Sequence, residues 1–220
     1  MTGRVVKQER AERTRAAVVQ AAAEVFGQLG FAGSSVVKIA DRAGVTLGAV
    51  YFHFRNKEEL ARFIVSGQPD LVVPPQLSQG LQRAVDITLT WACQLLDNPI
   101  LQAGARLVWE QERFLPPEEN SHRQWAKLVL EDLRMAQAKR ELKTGTDIEA
   151  FARLLVNACT GAQMHSYVEA GHADLPQRVA EIWRCMLPAI AVPSTVRRIE
   201  LGEERGRPAH DAAPVAAAGS

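Results

Sequence analysis

Apolar residues recur along this chain at intervals of three and four, with no convincing strict alternation, so almost every segment is predicted to be helical. The first stripe, Ala17, Val18, Ala21, Ala22, Val25, Phe26 and Leu29, predicts a helix over about residues 9–29 that Gly30 ends. Ser34 or Ser35 can cap a short second helix over VVKIADRAG, with Val36, Ile39 and Ala40 inward and Gly44 as its stop. Thr46 is placed to cap a third, very short helix through about Phe52. Asn56 starts a fourth, and Glu59 three residues on completes a capping box. Gly67, Pro69, Pro74 and Pro75 then interrupt the pattern. They predict a broken linker between a head, residues 1–65, and a larger helical body, residues 66–201.

In the body, LQRAVDITLTWACQLL reads as one helix, and Asn98 with Pro99 as the N-cap and first position of the next. Residues 118–142 predict a long helix with Trp125, Leu128, Val129, Leu133 and Ala136 on one side. Thr146 with Glu149 reads as a capping box for a helix that closes at Gly171, and Asp174 as the cap of the last long helix. These two final helices carry wide stripes. Ile148, Phe151, Leu155, Ala158 and Ala162 mark one, and Trp183 with its neighbours the other; both are too wide to be satisfied within one small bundle and call for a partner surface. Residues 202–220, rich in Ala, Pro and Gly, are expected to be a disordered tail. The fold class is therefore all-α: an N-terminal three-helix domain and a larger C-terminal helical domain.

Composition changes this picture in one respect. The whole chain carries a net charge of only +1, but residues 1–62 hold 10 Lys and Arg against 6 Asp and Glu, and the remainder 16 against 19. A basic head on a mildly acidic body suits a polyanionic partner, although charge runs are more often solvated faces. Cys93, Cys159 and Cys185 form no CxxC pair and read as buried apolar residues in a reducing compartment. The five histidines show no HExxH spacing, and there is no GxSxG and no P-loop, so neither catalysis nor a metal or other cofactor is expected. The charged N-terminus and the lack of any apolar run near ~18 residues predict a soluble cytoplasmic protein with no membrane span.

Residues 35–53 hold two short helices joined by a tight turn containing glycine, a geometry that can present a helix to the DNA major groove. Spacing alone equally permits a plain three-helix subdomain. The chemistry fits DNA. Thr46 opens a helix whose N–H groups face outward, Gly48 and Ala49 permit close approach, and Tyr51 offers a hydroxyl and a ring. His53 and Lys57 are placed to hold the phosphate backbone, with Lys38 and Arg42 adding charge beside them.

About 50 contiguous residues here, from RTRAAVVQAAAEVF through GVTLGAVYFHFRNKEELA, resemble the N-terminal DNA-binding domain of the TetR family of bacterial repressors. The resemblance rests on AAxxxFxxxGF, the serine before the second helix, GV[ST]xGAxYxHF and xxKEEL. It implies a double-stranded operator as partner and a DNA-contacting set of Ser35, Lys38, Thr46, Leu47, Gly48, Ala49, Tyr51, His53 and Lys57. Leu47 departs from the pattern, because that position is commonly a phosphate-binding lysine. The leucine can touch a thymine methyl or merely cover neighbouring apolar surface.

The body is similar, more loosely, to the γ-butyrolactone autoregulator receptors of actinomycetes, through YFHF, DNPILQAGARL, RQWAKLVLEDL, ACTGAQ and RVAEIWRCMLPAI. That resemblance implies a homodimeric repressor of antibiotic-biosynthesis and signalling genes, released by a small hydrophobic, lactone-like effector. It places Trp125 in the pocket wall, Thr160 and Gln163 as hydrogen-bonding groups and Gln68 between pocket and head. From the residues alone, Trp125 also fits an ordinary core position, Thr160 a hydroxyl bonded back to its own helix, and Gln163 a solvent-facing side chain. A regulator answering to an antibiotic, or an efflux-type regulator, has the same sequence signature.

Overall fold

A computed structural model describes residues 2–207, with side chains from Lys7 onward. Among these residues the fold is helical, and the one β-type pairing is an isolated bridge between Leu142 and Ala191. No helix among them is long and apolar enough to cross a membrane. The chain forms two compact units: residues 1–71 with 97–125, and residues 72–96 with 126–220.

The first unit opens with α1 (Thr2–Gly33), broken at Gly30, whose φ of 68° no other residue type adopts without strain. In α2 (Val36–Ala43) the Ser35 hydroxyl accepts from the Lys38 N–H, and Gly44 ends the helix in the left-handed conformation. The third helix, α3 (Leu47–His53), is capped by Thr46, whose hydroxyl accepts from the Ala49 N–H. In α4 (Lys57–Ser66) the Asn56 carboxamide takes the Glu59 N–H, and Glu59 in return takes the Arg55 N–H. A single turn, α5 (Gln68–Leu71), closes this run.

The expected boundary at residue 65 does not limit this unit. After Leu71 the chain leaves it and returns at Asp97 with α7 (Pro99–Leu107), capped by Asn98 as expected. Ala21, Ala22, Ala23, Val25 and Phe26 are all buried, so α1 is covered on more sides than a three-helix head can supply. α7 covers the remainder. Its backbone at Ala103 lies about a van der Waals contact from where a Cβ on Gly27 would stand, and Ala103 and Leu107 join the head's core. Two 3₁₀ turns, Val108–Arg113 and Pro117–Glu119, follow.

The second unit is built on α6 (Leu81–Gln94), which is buried on nearly every side. α10 (Leu175–Ile190) packs against it, α9 (Ile148–Ala170) and α11 (Pro193–Arg198) pack against α10, and most of α8 (Ser121–Ala138) belongs to the same unit. Three local expectations change here. Asp147, not Thr146, caps α9, and the Thr146 hydroxyl donates to the Lys143 carbonyl. Asp174 stands at the N-cap of α10 without capping it, because its carboxylate is held by the Ser166 hydroxyl and Arg178. Cys185 is exposed, whereas Cys93 and Cys159 are buried, burial pushing the Cys159 thiol up to about 12.

Two larger expectations also change. Phe151, Leu155 and Trp183, expected to face a partner, lie inside their own unit: Trp183 is fully buried and its indole N–H donates to the Thr88 hydroxyl at 2.8 Å. Six of the residues read as tail, 202–207, are ordered and include a 3₁₀ turn, Glu203–Gly206. The rest of that stretch lies outside the described residues. The turn is anchored by Arg205, whose guanidinium grips both oxygens of Asp86 on α6.

Candidate functional site

Helix α3 divides cleanly into two faces. Val50 and the following Phe54 are buried in the head's core, so the opposite face must look outward. That face carries Gly48, Tyr51 (50% exposed) and Phe52 (78%), and Leu47 (40%), three residues before Val50, is exposed because it stands at the open first turn of the helix. Four large or close-approach positions on two helical turns leave a surface with little polar cover, and Val37 of α2 is also exposed.

The sequence motifs give Phe52 no role, although its spacing of four from Gly48 places it on the same face. It packs edge-on against His53, ring centroids 4.9 Å apart, so the histidine is half-buried under it. Tyr51 therefore shares its exposed face with a second aromatic ring.

The expected cationic contacts are arranged differently from the sequence reading. Lys57 lies over the Phe31 ring at 4.1 Å and donates to the carbonyls of Phe31 and Ser34 at 2.7 and 3.1 Å. It clamps the turn before α2 rather than reaching outward. Lys38 donates to the Gly33 carbonyl at 2.9 Å, and Arg42 pairs with Glu24 at 2.7 Å. A lysine tip takes whichever acceptor the tertiary structure brings near, and the sequence does not reveal that acceptor. Ser35 and Thr46 spend their hydroxyl oxygens on capping α2 and α3. Ala49 sits between the two faces, partly buried.

The four residues expected around an effector fall in both units. In the first, Gln68 is buried on α5 against Gly104 of α7, where a Cβ on Gly104 would overlap its carboxamide. Its Nε2 is buried with no hydrogen-bond partner. An amide donor so placed carries a desolvation cost. Trp125, early on α8, is half-buried. In the second unit the Thr160 hydroxyl donates to the Val156 carbonyl one turn back on α9, at 2.9 Å. Its hydrogen is spent, so toward a ligand it can only accept. Gln163 follows on the same helix and is buried rather than facing solvent.

Comparison with known proteins bears on these surfaces. The sequence profile of bacterial regulatory proteins of the tetR family matches residues 18–63, and that of the tetracyclin repressor-like C-terminal domain matches residues 78–193. The A-factor receptor protein of Streptomyces griseus is 35% identical over 196 residues, covering 89% of this chain and 70% of the receptor. Among solved structures, the full-length native TylP, a TetR regulator from Streptomyces fradiae, is 37% identical, with a TM-score of 0.79 over 90% of this chain and 95% of that one. A γ-butyrolactone receptor described as ArpA-like is 26% identical, with a TM-score of 0.64 over 86% of this chain and 93% of that one.

Proposed function

The chain belongs to the TetR family of transcriptional repressors, DNA-binding regulators without enzymatic activity, and from that premise we propose a specific mode of action for it. It binds a pseudo-palindromic operator in the cytoplasm as a homodimer and lets go when its body takes up a γ-butyrolactone or butenolide signal. The observation that carries the DNA half is the outward face of α3, where Leu47, Gly48, Tyr51 and Phe52 stand exposed on a helix anchored from behind by Val50 and Phe54. A helix of this length held end-on by its caps suits a major groove. The lactone half draws on the likeness to the A-factor receptor over most of both chains, and on the butyrolactone receptor of similar fold.

The dimer reading has support of its own. With Phe151, Leu155 and Trp183 committed to the core, α9 still leaves Leu154, Met164 and Val168 exposed along one stripe. Open apolar surface along a 23-residue helix suits a two-fold mate. Two copies would place two reading helices on half-sites one helical turn apart. Effector uptake then favours a state of the dimer whose heads no longer match that spacing.

A gel shift on the DNA upstream of the chain's own coding region, with and without a panel of butyrolactones and butenolides, tests the proposal. Retardation that the lactones reverse is the expected result. Failure to retard any such DNA rejects the repressor mode, and retardation that ignores every lactone assigns the pocket to another hydrophobic metabolite.

Leu47 supplies a finer test. It occupies the first position of α3 and is exposed, so Leu47→Lys would stand where a phosphate can be reached. One added phosphate contact should tighten binding to all sequences and steepen the log–log salt dependence by about one unit. Unchanged affinity and slope would place residue 47 off the DNA.

A further inference from the structure

Residues 97–125 belong to the head's unit, yet the segments on either side of them, ending at Leu96 and starting at Ala126, belong to the other unit. The insert is therefore tied covalently to the second unit at both ends. Within the first unit its polar contacts to the head include a loose one from Gln124 Nε2 to the Ser66 hydroxyl of α4, at 3.5 Å, and two closer grips. The Phe114 carbonyl accepts from Arg62 of α4 through Nε at 3.2 Å and Nη2 at 2.9 Å. Glu110 reaches further forward, to the turn that starts the helix-turn-helix: Oε1 accepts the Phe31 N–H at 2.8 Å and Oε2 the Ala32 N–H at 3.0 Å.

The backbone explains why those amides can be gripped. The break at Gly30 takes Phe31 and Ala32 out of the regular α1 ladder, leaving two adjacent N–H groups to find another acceptor. Glu110 satisfies both with one carboxylate. The fit leaves no slack, since a Cβ on Gly30 would stand 2.6 Å from Oε1. From the other side Lys57 holds the Phe31 and Ser34 carbonyls of the same turn. Ser34 is bonded back to Phe31, and Ser35 caps α2, against which α3 packs. The turn is thus clasped between an anion on the insert and a cation on α4, and it fixes where α2 and α3 begin.

We propose that Glu110 is a positioning residue for the DNA-reading helix. Through it the 97–125 insert sets the placement of α2 and α3 directly, in parallel with the Arg62 contact to α4. A displacement of the insert then reaches the reading helix through a carboxylate and two backbone amides. This inference rests on the repressor reading above.

Amide exchange, amide chemical shifts and gel shift on the full-length protein, with Glu110→Gln and Glu110→Asp beside wild type, test it well below the melting temperature. Gln keeps the shape but offers one acceptor for two donors; Asp keeps the charge but retracts it. In Glu110→Gln, exchange at Phe31 and Ala32 should quicken at least about tenfold, as expected for losing a charge-assisted hydrogen bond. The amide shifts of residues 47–53 should move, although the Glu110 carboxylate bonds to none of them. Operator affinity should fall about tenfold with an unchanged salt slope, because no phosphate contact is removed. Glu110→Asp should fall between the two. Faster exchange at Phe31 and Ala32 with unmoved α3 shifts and unchanged affinity would reduce Glu110 to local support and overturn the proposal. Wild-type protein that binds no operator removes the repressor reading instead, an outcome told apart by the shift measurements, which need no DNA.

Discussion

Gly48→Ala should make the protein slightly more stable and a much poorer DNA binder. The fold does not ask for glycine at this position. Its φ is not among the positive values, the residue is exposed, and the nearest atom to an added Cβ is the Thr46 hydroxyl at 3.9 Å. Alanine is favoured over glycine inside a helix by about 0.8–1 kcal/mol, which for a chain of this size raises the melting temperature by roughly 2–4 °C. On DNA the balance reverses. Gly48 lies on the outward face one turn before Phe52, where the proposed mode of binding brings the backbone close to base edges or phosphates. A methyl group there holds the helix away from contacts worth about 1–3 kcal/mol, so operator affinity should drop about tenfold or more. Gly44→Ala is the contrasting control. That glycine has a φ of 64° at the end of α2, so alanine there should cost stability first. Thermal melts and gel shifts on both variants separate the two roles. A Gly48→Ala protein that binds operator like wild type would show that this face of α3 is not the reading surface.

The reading helix was legible in the sequence because its determinants are local. Ser35, Thr46 and Asn56 cap the helices they precede, and Gly44 takes the left-handed turn that only a residue lacking Cβ takes freely. Such signals act over three or four residues, so spacing alone carries them. What covers an apolar stripe is a different kind of fact. The stripe on α1 says that a face is buried, but not that α7, some 80 residues on, does the covering, so the head extended past its predicted end. Likewise the stripes on α9 and α10 marked Phe151, Leu155 and Trp183 as buried, and only the fold shows that their own unit buries them. Long polar side chains hide their partners in the same way: Lys57 clamps two carbonyls and Thr160 bonds back along its helix. Phe52 could have been placed, since it stands one turn from Gly48; the turn at Glu203–Gly206 could not, because nothing in that stretch marks Arg205 as the partner of Asp86, 119 positions earlier.

That anchor should be among the costliest single side chains to remove. Asp86 lies on α6 with no exposed surface, and its two oxygens take Nε and Nη2 of Arg205 at 2.7 and 2.8 Å. Gln82 adds one bond at 2.9 Å, and Glu200 meets the guanidinium's remaining edge. Arg205→Ala leaves a carboxylate inside the unit with only the Gln82 amide for company. Breaking a buried pair from one side costs about 3–5 kcal/mol, so the melting temperature should fall by roughly 6–20 °C. The penalty is that of an orphaned charge rather than the worth of the contact, so Asp86→Asn added to Arg205→Ala should recover part of the loss, giving a coupling that a double-mutant cycle measures. Gly206→Ala reaches the same result by another path. A Cβ there would meet the Leu89 carbonyl oxygen at 2.4 Å, backbone against backbone, and lift the 3₁₀ turn off α6 with Arg205 attached. If Arg205→Ala melts within about 2 °C of wild type, well under the shift expected for a buried pair broken from one side, the turn lies on α6 without stabilising it. If all three variants behave as expected, residues 203–207 complete the core of the second unit, and truncating the chain before Arg205 should destabilise that unit as much as Arg205→Ala does.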